Sequence, residues 1–372
     1  ADRSGWTVSA AGDVDGDGVE DVIIGAWYAD PNGTHSGQAY VIYGGTSLSP
    51  ELELGSLNGS NGFYLNGVDA NDVAGQSVRG AGDVNNDGYD DVIVGAYRYK
   101  NGDLDTEEGA AFLYYGSPDG LSKTPAWQVE SDQPYAQLGY AVAGAGDLNG
   151  DGYADLAVGS RYFTDNEDKQ GGVYVYYGTK DGPKTTYDRL FSGDQLGAYF
   201  GSAMGAAGDL NGDGYDDLVV GAPGLDYQET DAGAAYVFHG SQDGLGATWD
   251  WRAISDQPEA GFGVAVGTAG DVDGDGYDDV IIGAPGYAYE PAALGSVFVY
   301  HGSKDGLPAQ ASRRADSGQS TAWFGIAAGT AVDVNQDGYD DVIVGAYKYN
   351  ADQPDEGGAF VYFVTPTGLQ ST

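Results

Sequence analysis

Short apolar runs alternate with turn-forming segments along the whole chain. Residues 280–282 (VII) and 297–300 (VFVY) are two such runs, and segments rich in glycine and aspartate bound them. Runs of this length and composition are typical of β-strands, because β-branched and aromatic side chains suit a pleated sheet. No stretch sustains the period of an amphipathic helix. The pattern therefore predicts an all-β protein.

The strand-like runs belong to six copies of one unit. Each copy carries a nine-residue acidic segment, which reads DVDGDGVED in its first occurrence. The copies begin at Asp13, Asp83, Asp147, Asp209, Asp271 and Asp333, at steps of 70, 64, 62, 62 and 62 residues. Four strand-like runs accompany each acidic segment. Four short strands in each of six units predict a β-propeller with six four-stranded blades.

Two further motifs flank every acidic segment. A Phe-Gly pair or a relative of it stands nine residues earlier, at Ser4-Gly5, Ala74-Gly75, Leu138-Gly139, Phe200-Gly201, Phe262-Gly263 and Phe324-Gly325. A Gly-Ala-Pro triplet or a variant follows the next apolar run, as at residues 221–223 and 283–285. Together the three motifs resemble the FG-GAP repeat of integrin α subunits, over nearly the whole chain. The resemblance implies a propeller with calcium loops, and here all six repeats have the loop.

The repeats set the expected domain organisation. We predict a single propeller over residues 1–372, and its repeats are 4–73, 74–137, 138–199, 200–261, 262–323 and 324–372. The last repeat is the shortest and lacks about one strand. We therefore expect either three strands in the sixth blade or a closing strand from outside this chain. A seventh blade beyond Thr372 is the alternative.

The acidic segment has the chemistry of a calcium loop. Positions 1, 3 and 5 are Asp or Asn, so their side-chain oxygens can converge on one ion, and calcium takes six to eight oxygen ligands. Position 6 is always glycine, which permits the sharp turn. Position 7 offers its backbone carbonyl, and the invariant Asp at position 9 can close the shell, in bidentate fashion if both oxygens bind. An EF-hand instead takes its bidentate Glu from position 12, between helices.

The sequence thus predicts about six structural Ca²⁺ ions, with Mg²⁺ less suited to so flexible a loop. The predicted ligands are Asp13, Asp15, Asp17, Val19 and Asp21; Asp83, Asn85, Asp87, Tyr89 and Asp91; Asp147, Asn149, Asp151, Tyr153 and Asp155; Asp209, Asn211, Asp213, Tyr215 and Asp217; Asp271, Asp273, Asp275, Tyr277 and Asp279; Asp333, Asn335, Asp337, Tyr339 and Asp341.

Charge and composition narrow the possible partners and the compartment. The chain has 57 acidic and 15 basic residues, a formal charge of −42, and no cysteine. So negative a surface repels phosphate backbones and anionic lipid, which argues against nucleic acid and direct membrane insertion. No apolar run approaches the roughly 20 residues that span a bilayer. We expect a secreted or cell-surface protein, because calcium sites of extracellular modules are filled outside the cell.

A binding surface is predicted at the blade ends opposite the acidic loops. The loops between the second and third strands lie there and are rich in aromatic residues, and the integrin resemblance implies ligand binding on this face. The candidates are Trp27, Tyr28, Tyr97, Tyr99, Arg161, Tyr162, Tyr227, Tyr287, Tyr289, Tyr347 and Tyr349. Packing between blades is the alternative interpretation of each residue. The predicted partner is an extracellular or cell-surface protein in an adhesion role, with a glycan-binding lectin as the alternative.

Catalysis has little support in the sequence. His239 and His301 occupy the repeat position that is Tyr43, Tyr115 or Tyr177 in other blades, which predicts strand-end packing rather than a ligand cluster. No cysteine nucleophile and no Gly-x-Ser-x-Gly or His-Glu-x-x-His motif is present. We therefore predict a binding protein without catalytic residues.

Overall fold

The computed structural model describes residues 2–45, 51–100, 106–165, 169–290, 293–319, 321–365 and 368–371. Apart from the 3-10 helix Leu54–Ser56, the regular elements of these residues are all β-strands. None of their helices has the length and apolar character to span a membrane. The chain forms two compact units, Ala1–Gly146 with Gly152–Ser192, and Asp147–Asp151 with Gly193–Thr372.

The first unit contains three four-stranded antiparallel sheets, which we number blades 1 to 3. Blade 1 consists of β1 (Thr7–Gly12), β2 (Asp21–Ala26), β3 (Gln38–Ile42) and β4 (Gly62–Asn66). Blade 2 consists of β5 (Ser77–Gly82), β6 (Asp91–Ala96), β7 (Ala110–Tyr114) and β8 (Trp127–Glu130). Blade 3 consists of β9 (Leu138–Gly146), β10 (Asp155–Ser160), β11 (Gly172–Tyr176) and β12 (Arg189–Ser192). In each blade the strands pair in chain order.

The second unit contains blades 4 to 6, built in the same way. Blade 4 consists of β13 (Ala203–Gly208), β14 (Asp217–Ala222), β15 (Ala234–Phe238) and β16 (Trp251–Ile254). Blade 5 consists of β17 (Ala265–Gly270), β18 (Asp279–Glu290), β19 (Ala293–Tyr300) and β20 (Arg313–Asp316). Blade 6 consists of β21 (Phe324–Val332), β22 (Asp341–Ala346), β23 (Gly358–Thr365) and β24 (Gly368–Ser371). The prediction of an all-β propeller with six four-stranded blades is confirmed.

The sixth blade corrects one expectation from the sequence. We expected it to lack about one strand, but β24 pairs with β23 and completes the sheet. The register begins at Thr365 opposite Gly368, so the chain returns almost at once. In blade 1 the connection between the third and fourth strands runs from Ile42 to Gly62. The fourth strand therefore follows the third after far fewer residues in blade 6 than in blade 1, which is why counting residues misjudged the blade.

The second strand is buried on both faces in blades 2 to 5, whereas Val22 of β2 and Ile343 of β22 are exposed. All six residues of β6 are buried, and alternate side chains serve different neighbours. Val92 and Val94 belong to a core cluster with residues of blade 1, whereas Ile93 belongs to a cluster with residues of blade 3. Strands covered on both faces need apolar residues at consecutive positions. This explains the continuous apolar runs at the second strand of each repeat.

The glycines of the flanking motifs allow neighbouring blades to approach at the backbone. Gly75 of blade 2 has a φ of +84°, which favours glycine, and its N–H donates to Gly95 O at 3.0 Å. A Cβ on Gly25 of blade 1 would overlap the carbonyl oxygen of Gly75. The second unit repeats this arrangement, since a Cβ on Gly283 would overlap the carbonyl of Gly325. The two glycine motifs of a repeat therefore meet across blade junctions.

A second junction contact holds four of the acidic loops, loops 1, 3, 4 and 5, to the following blade. Position 8 of loop 5 is Asp278, whose Oδ2 accepts the N–H of Asp209 in loop 4 at 3.0 Å. The N–H of Asp278 donates to Asp209 O at 3.2 Å, and Ser303 N donates to Leu210 O at 3.0 Å. The same Asp-to-Asp pair links Asp90 to Asp13, Asp216 to Asp147, and Asp340 to Asp271. We call this contact the junction clamp.

The junction clamp gives a stability prediction for Asp278→Ala. The substitution leaves the part-buried N–H of Asp209 without its acceptor, which costs about 1–2 kcal/mol. Alanine is compatible with the backbone there, because Ala154 occupies the same position in blade 3. At constant calcium, we expect the melting temperature to fall by about 1–3 °C, because the unfolding entropy of so long a chain is large.

Two controls accompany this measurement. Asp278→Asn keeps an acceptor oxygen and should lose less than half as much stability. Asp305→Ala removes the same charge from an exposed side chain that contacts Lys304, and it should change the melting temperature little. Equal losses for Asp278→Ala and Asp305→Ala would show that the clamp contributes nothing.

Candidate metal centres

Each acidic segment forms the connection between the first and second strands of its blade. In all six blades the first strand ends directly before position 1 and the second strand begins at position 9. Asp21, for example, is the first residue of β2. We call this end of a blade the acidic-loop end. Because the strands are antiparallel, the connection between the second and third strands lies at the other end, which we call the opposite end.

The loop's own backbone orients the acidic side chains at positions 1, 3 and 5. In loop 2, Asp83 Oδ1 accepts the N–H of Asp87 at 3.0 Å, and Asp83 Oδ2 accepts that of Gly88 at 2.8 Å. Asn85 Oδ1 also accepts the Asp87 N–H, at 2.9 Å, and Asp87 Oδ1 accepts the N–H of Tyr89. Gly88 turns with a φ of +92°. The side chains at positions 1, 3 and 5 therefore lie together on the inside of one tight turn.

The aspartate at position 9 is buried, and its carboxylate accepts hydrogen bonds from the backbone of the loop and of the third strand's end. Asp91 is fully buried; its Oδ2 accepts the N–H of Val84 at 3.0 Å, and its Oδ1 accepts that of Gly116 at 2.9 Å. Gly116 follows β7, so the carboxylate ties the loop to the end of the third strand. Each carboxylate oxygen keeps a further lone pair for another partner. Bidentate metal binding by this residue stays a prediction.

Burial makes the charge at position 9 costly in the metal-free loop. It raises the pKa of Asp21 to about 6, that of Asp91 to about 7 and that of Asp279 to about 8. Carboxylates of the same loop add to the rise, whereas the backbone N–H donors oppose it. A cation beside these groups would favour their ionised forms.

The donor set fits a hard divalent cation. Carboxylate oxygens of Asp13, Asp15 and Asp17 lie within 4.8 Å of one another, and so do those of Asp271, Asp273 and Asp275. Asp273 Oδ1 is buried and has no hydrogen-bond partner among the described residues. Several oxygens in a tight cluster, one of them unsatisfied, match the ligand preference of Ca²⁺ or Mg²⁺ rather than that of softer metals.

The third loop is divided between the two units. In the second unit, Asp147 Oδ1 accepts the N–H groups of Gly150 at 2.7 Å and Asp151 at 3.1 Å. In the first unit, Asp155 Oδ1 accepts the N–H of Gly178 at 2.8 Å, as its counterparts do in the other blades. Each part thus has the hydrogen bonds of the other loops.

Two histidines contact acidic loops, which the sequence analysis missed. We predicted strand-end packing and no ligand cluster, but His239 Nδ1 lies 2.9 Å from Asp217 Oδ2, and this hydrogen bond raises the pKa of His239. His301 Nδ1 contacts Asp273 Oδ2, and with Asp279 these residues form a cluster that could hold a metal ion. The repeat position they share with Tyr43 lies beside the loop, so a histidine there can reach its carboxylates.

At the opposite end, the structure separates the predicted aromatic residues into two groups. Tyr99, Tyr287 and Tyr349 pack against the phenylalanine of a neighbouring strand and adjoin the core clusters, so their structural role is packing. Tyr289 has a side chain that lies outside the described residues. The remaining candidates lie at the surface or partly exposed: Trp27, Tyr28, Tyr97, Arg161, Tyr162, Tyr227 and Tyr347. Ligand binding by these residues stays a prediction.

In the first unit these surface residues have neighbours that the sequence analysis did not single out. Trp6 lies 5.5 Å from Trp27 between ring centroids, and Tyr140 lies 5.5 Å from Tyr97. Trp6 and Tyr140 share the repeat position directly after the first glycine motif, where blades 4 to 6 have Ser, Val and Ile. Comparing that position between repeats would have revealed them.

A family model for the FG-GAP repeat matches the chain six times, at residues 4–42, 74–114, 138–176, 200–238, 262–300 and 324–362. The matches begin at the same residues as the six predicted repeats.

Curated relatives agree with the family match. Integrin alpha-4 of Xenopus laevis is 35% identical over 216 residues, which are 56% of this chain and 20% of the relative. Integrin alpha pat-2 of Caenorhabditis briggsae is 32% identical over 230 residues, 58% of this chain and 17% of the relative. Integrin alpha-3 of Cricetulus griseus is 31% identical over 267 residues, 68% of this chain and 22% of the relative.

The matched segment thus spans about a fifth of the length of these relatives. Six matched repeats, six four-stranded blades and the integrin alpha relatives all lead to one assignment. The chain belongs to the FG-GAP repeat family and is a β-propeller that resembles the head of an integrin α subunit.

Proposed function

We propose that the protein is a calcium-stabilised recognition module of integrin α type, which acts in adhesion outside the cell. It binds a protein ligand at the opposite end of its blades. The observation that carries this proposal is that the two ends of a blade differ in composition and in how much they vary between repeats. The acidic-loop end repeats the same residue types in every blade, whereas the opposite end varies and bears exposed aromatic side chains.

Calcium is the proposed cation for the six loops. Bound Ca²⁺ supplies two positive charges to a cluster of carboxylates and needs no more than oxygen ligands. Asp and Asn side chains at positions 1, 3, 5 and 9 and the carbonyl at position 7 would hold it. Because the junction clamp attaches position 1 of loops 1, 3, 4 and 5 to the following blade, order in these loops also supports the blade junction. The cation is structural in this account, and the protein has no catalytic role.

The surface chemistry supports a protein ligand and an extracellular location. Trp, Tyr and Arg are enriched at the residues that dominate protein interfaces, and the opposite end of blades 1 to 3 has all three types. Calcium sites of extracellular modules bind at about 10⁻⁴–10⁻³ M, so they fill outside the cell. The relatives carry the name integrin alpha, which favours a role in adhesion.

Calcium addition to the chelated protein should raise its melting temperature and saturate at about six ions per chain. A ligand that binds only the folded state stabilises it by mass action, by about 1.4 kcal/mol per site at ten times the dissociation constant. Calorimetric titration measures the stoichiometry. Asp213→Ala, at position 5 of loop 4, should remove one ion. Asp119→Ala changes an exposed acid outside the loops and should remove no ion. A chain that binds no calcium would contradict the assignment of the loops as calcium sites.

The pH dependence of stability should reverse sign when calcium is added. In the chelated protein the pKa values of Asp21, Asp91 and Asp279 are raised above the usual 3.8, so the folded state binds more protons than the unfolded state. Their contribution to stability is therefore lost as pH rises from about 4 to about 8. With calcium, stability should rise over the same range, because the metal needs ionised carboxylates.

Melting temperatures between pH 5 and pH 8 check this reversal, since exposed carboxylates with ordinary pKa values do not titrate in that window. Histidines do titrate there, so the double variant His239→Tyr/His301→Tyr is the control; it introduces the tyrosine found in other blades and should keep the reversal. A chelated protein whose stability rises with pH would disprove the buried-carboxylate explanation.

The recognition role can be tested with immobilised protein and a panel of purified extracellular proteins, with a glycan array in parallel. We expect calcium-dependent capture of at least one protein, and loss of at least tenfold in affinity for Trp27→Ala. Tyr187→Ala is the matched control, because this exposed tyrosine lies at the acidic-loop end of blade 3. Binding of glycans alone, or equal losses for both variants, would refute a protein-binding face at the opposite end.

A further inference from the structure

Blades 1 to 3 share a cavity of about 300 Å³ at their opposite ends. Its wall contains three arginines, Arg3, Arg98 and Arg161, together with the aromatic residues Trp27 and Tyr140. The whole chain has only 15 lysines and arginines against 57 acids. Three arginines around one small cavity are therefore a marked local reversal of charge in a very acidic protein.

Aromatic contacts hold two of these guanidinium groups in place. Arg3 Cζ lies 4.4 Å from the ring centroid of Tyr28 and 4.9 Å from that of Trp27, and within the described part of the chain Arg3 makes no ion pair. Arg161 donates to Tyr140 Oη at 2.7 Å, and its Cζ lies 4.7 Å from the same ring. Stacking of Arg3 on these rings keeps the N–H groups on the edge of its guanidinium available for a planar acceptor.

The third arginine is only partly neutralised by the protein. Arg98 Nε donates to Glu107 Oε2 at 3.2 Å, in a pair whose arginine side chain is 40% exposed. This contact uses one nitrogen, and the guanidinium group has five N–H donors in all.

Two buried polar atoms of the wall lack partners. Trp27 Nε1 and Gln76 Oε1 are buried, and the described residues offer neither of them a hydrogen bond. Buried polar groups are nearly always satisfied, so unpaired ones point to a missing partner. The indole N–H of Trp27 can only donate, which matches an acceptor such as a carboxylate oxygen. Gln76 Oε1 accepts, so its partner must be a donor, such as a backbone N–H of the bound ligand.

The second unit does not repeat this chemistry at the equivalent positions. Where blades 1 and 3 have Trp27 and Arg161, blades 4 and 5 have Pro223 and Pro285. Blade 6 has a single cation, Lys348, whose Nζ lies 5.1 Å from the ring centroid of Trp323. At these positions the combination of arginines and aromatic rings thus occurs only in blades 1 to 3, although elsewhere in the second unit Arg314 Cζ lies 5.7 Å from the ring centroid of Tyr287. Lys348 offers a matched control.

We propose that this cavity binds the side-chain carboxylate of an aspartate or glutamate in the protein ligand. The proposal rests on the proposed function and names the chemistry of its binding site. Planar guanidinium groups pair with carboxylates through two parallel hydrogen bonds, which gives geometric specificity. Because the protein as a whole repels anions, and charges are screened beyond about 8 Å at physiological salt, this recognition depends on contacts inside the cavity.

The peptides Ac-Gly-Asp-Gly-NH₂ and Ac-Gly-Asn-Gly-NH₂ test the proposal, because they differ in charge but hardly in size. Each is titrated into ¹⁵N-labelled calcium-loaded protein, and the indole N–H signal of Trp27 is followed, after assignment with Trp27→Phe. We expect a saturable shift with the Asp peptide and at least tenfold weaker binding of the Asn peptide. Arg3→Gln and Arg161→Gln should each weaken binding of the Asp peptide at least fivefold, whereas Lys348→Gln should leave it unchanged.

Melting temperatures of the variants establish that they are folded; if Arg161→Gln unfolds, Arg3→Gln and the wild-type comparison of the two peptides still decide. Equal binding of the two peptides, no binding of either, or an equal effect of Lys348→Gln overturns the proposal. So does a glucuronate probe that binds while the Asp peptide does not. Protein capture that needs Trp27 but neither arginine overturns this inference and leaves the recognition role intact. Binding of the Asp peptide without capture of any protein supports the carboxylate site and overturns the recognition role.

Discussion

The crowding of carboxylates where one blade meets the next is the constraint on which the rest of the structure depends. Each acidic loop places several side-chain oxygens on the inside of one turn, above a buried aspartate such as Asp91. In loops 1, 3, 4 and 5 the junction clamp then fixes position 1 to the following blade. Order in the loop and contact between blades are therefore linked. Such a cluster is unfavourable without a counter-charge, because buried carboxylates have strongly raised pKa values.

The sequence was sufficient to predict the features that each repeat contains within itself. The position of every acidic loop and the strand-like runs follow from local patterns, and the structure has them; the fourth strand of blade 6 is the exception that the sequence missed. Features that join different repeats could not be read in this way. The clamp pairs Asp278 with Asp209, and the approach of Gly25 to Gly75 also crosses a junction. Their partners are about 50–70 positions apart in the sequence, so no local pattern reports them.

The candidate binding surface shows the same limit. Aromatic residues near one another in the sequence have different roles, because Tyr97 faces the cavity of the first unit while Tyr99 packs against Phe112. The arginines of that cavity come from three blades, and nothing in their local sequences relates them. Repeat comparison does help, since Trp6 and Tyr140 depart from the small or aliphatic residues of the other unit at the same position. Departures from the repeat therefore single out candidate binding residues, whereas positions that agree with it build the blades.

The central claim is that cation binding in a loop orders the junction to the next blade, and hydrogen exchange with and without calcium tests it most directly. The account predicts that chelation speeds amide exchange in each loop together with its partners in the following blade, such as Asp278 and Ser303 beside loop 4. Addition of calcium should restore protection at both. Exchange that changes only within the loops, or not at all, would contradict the account.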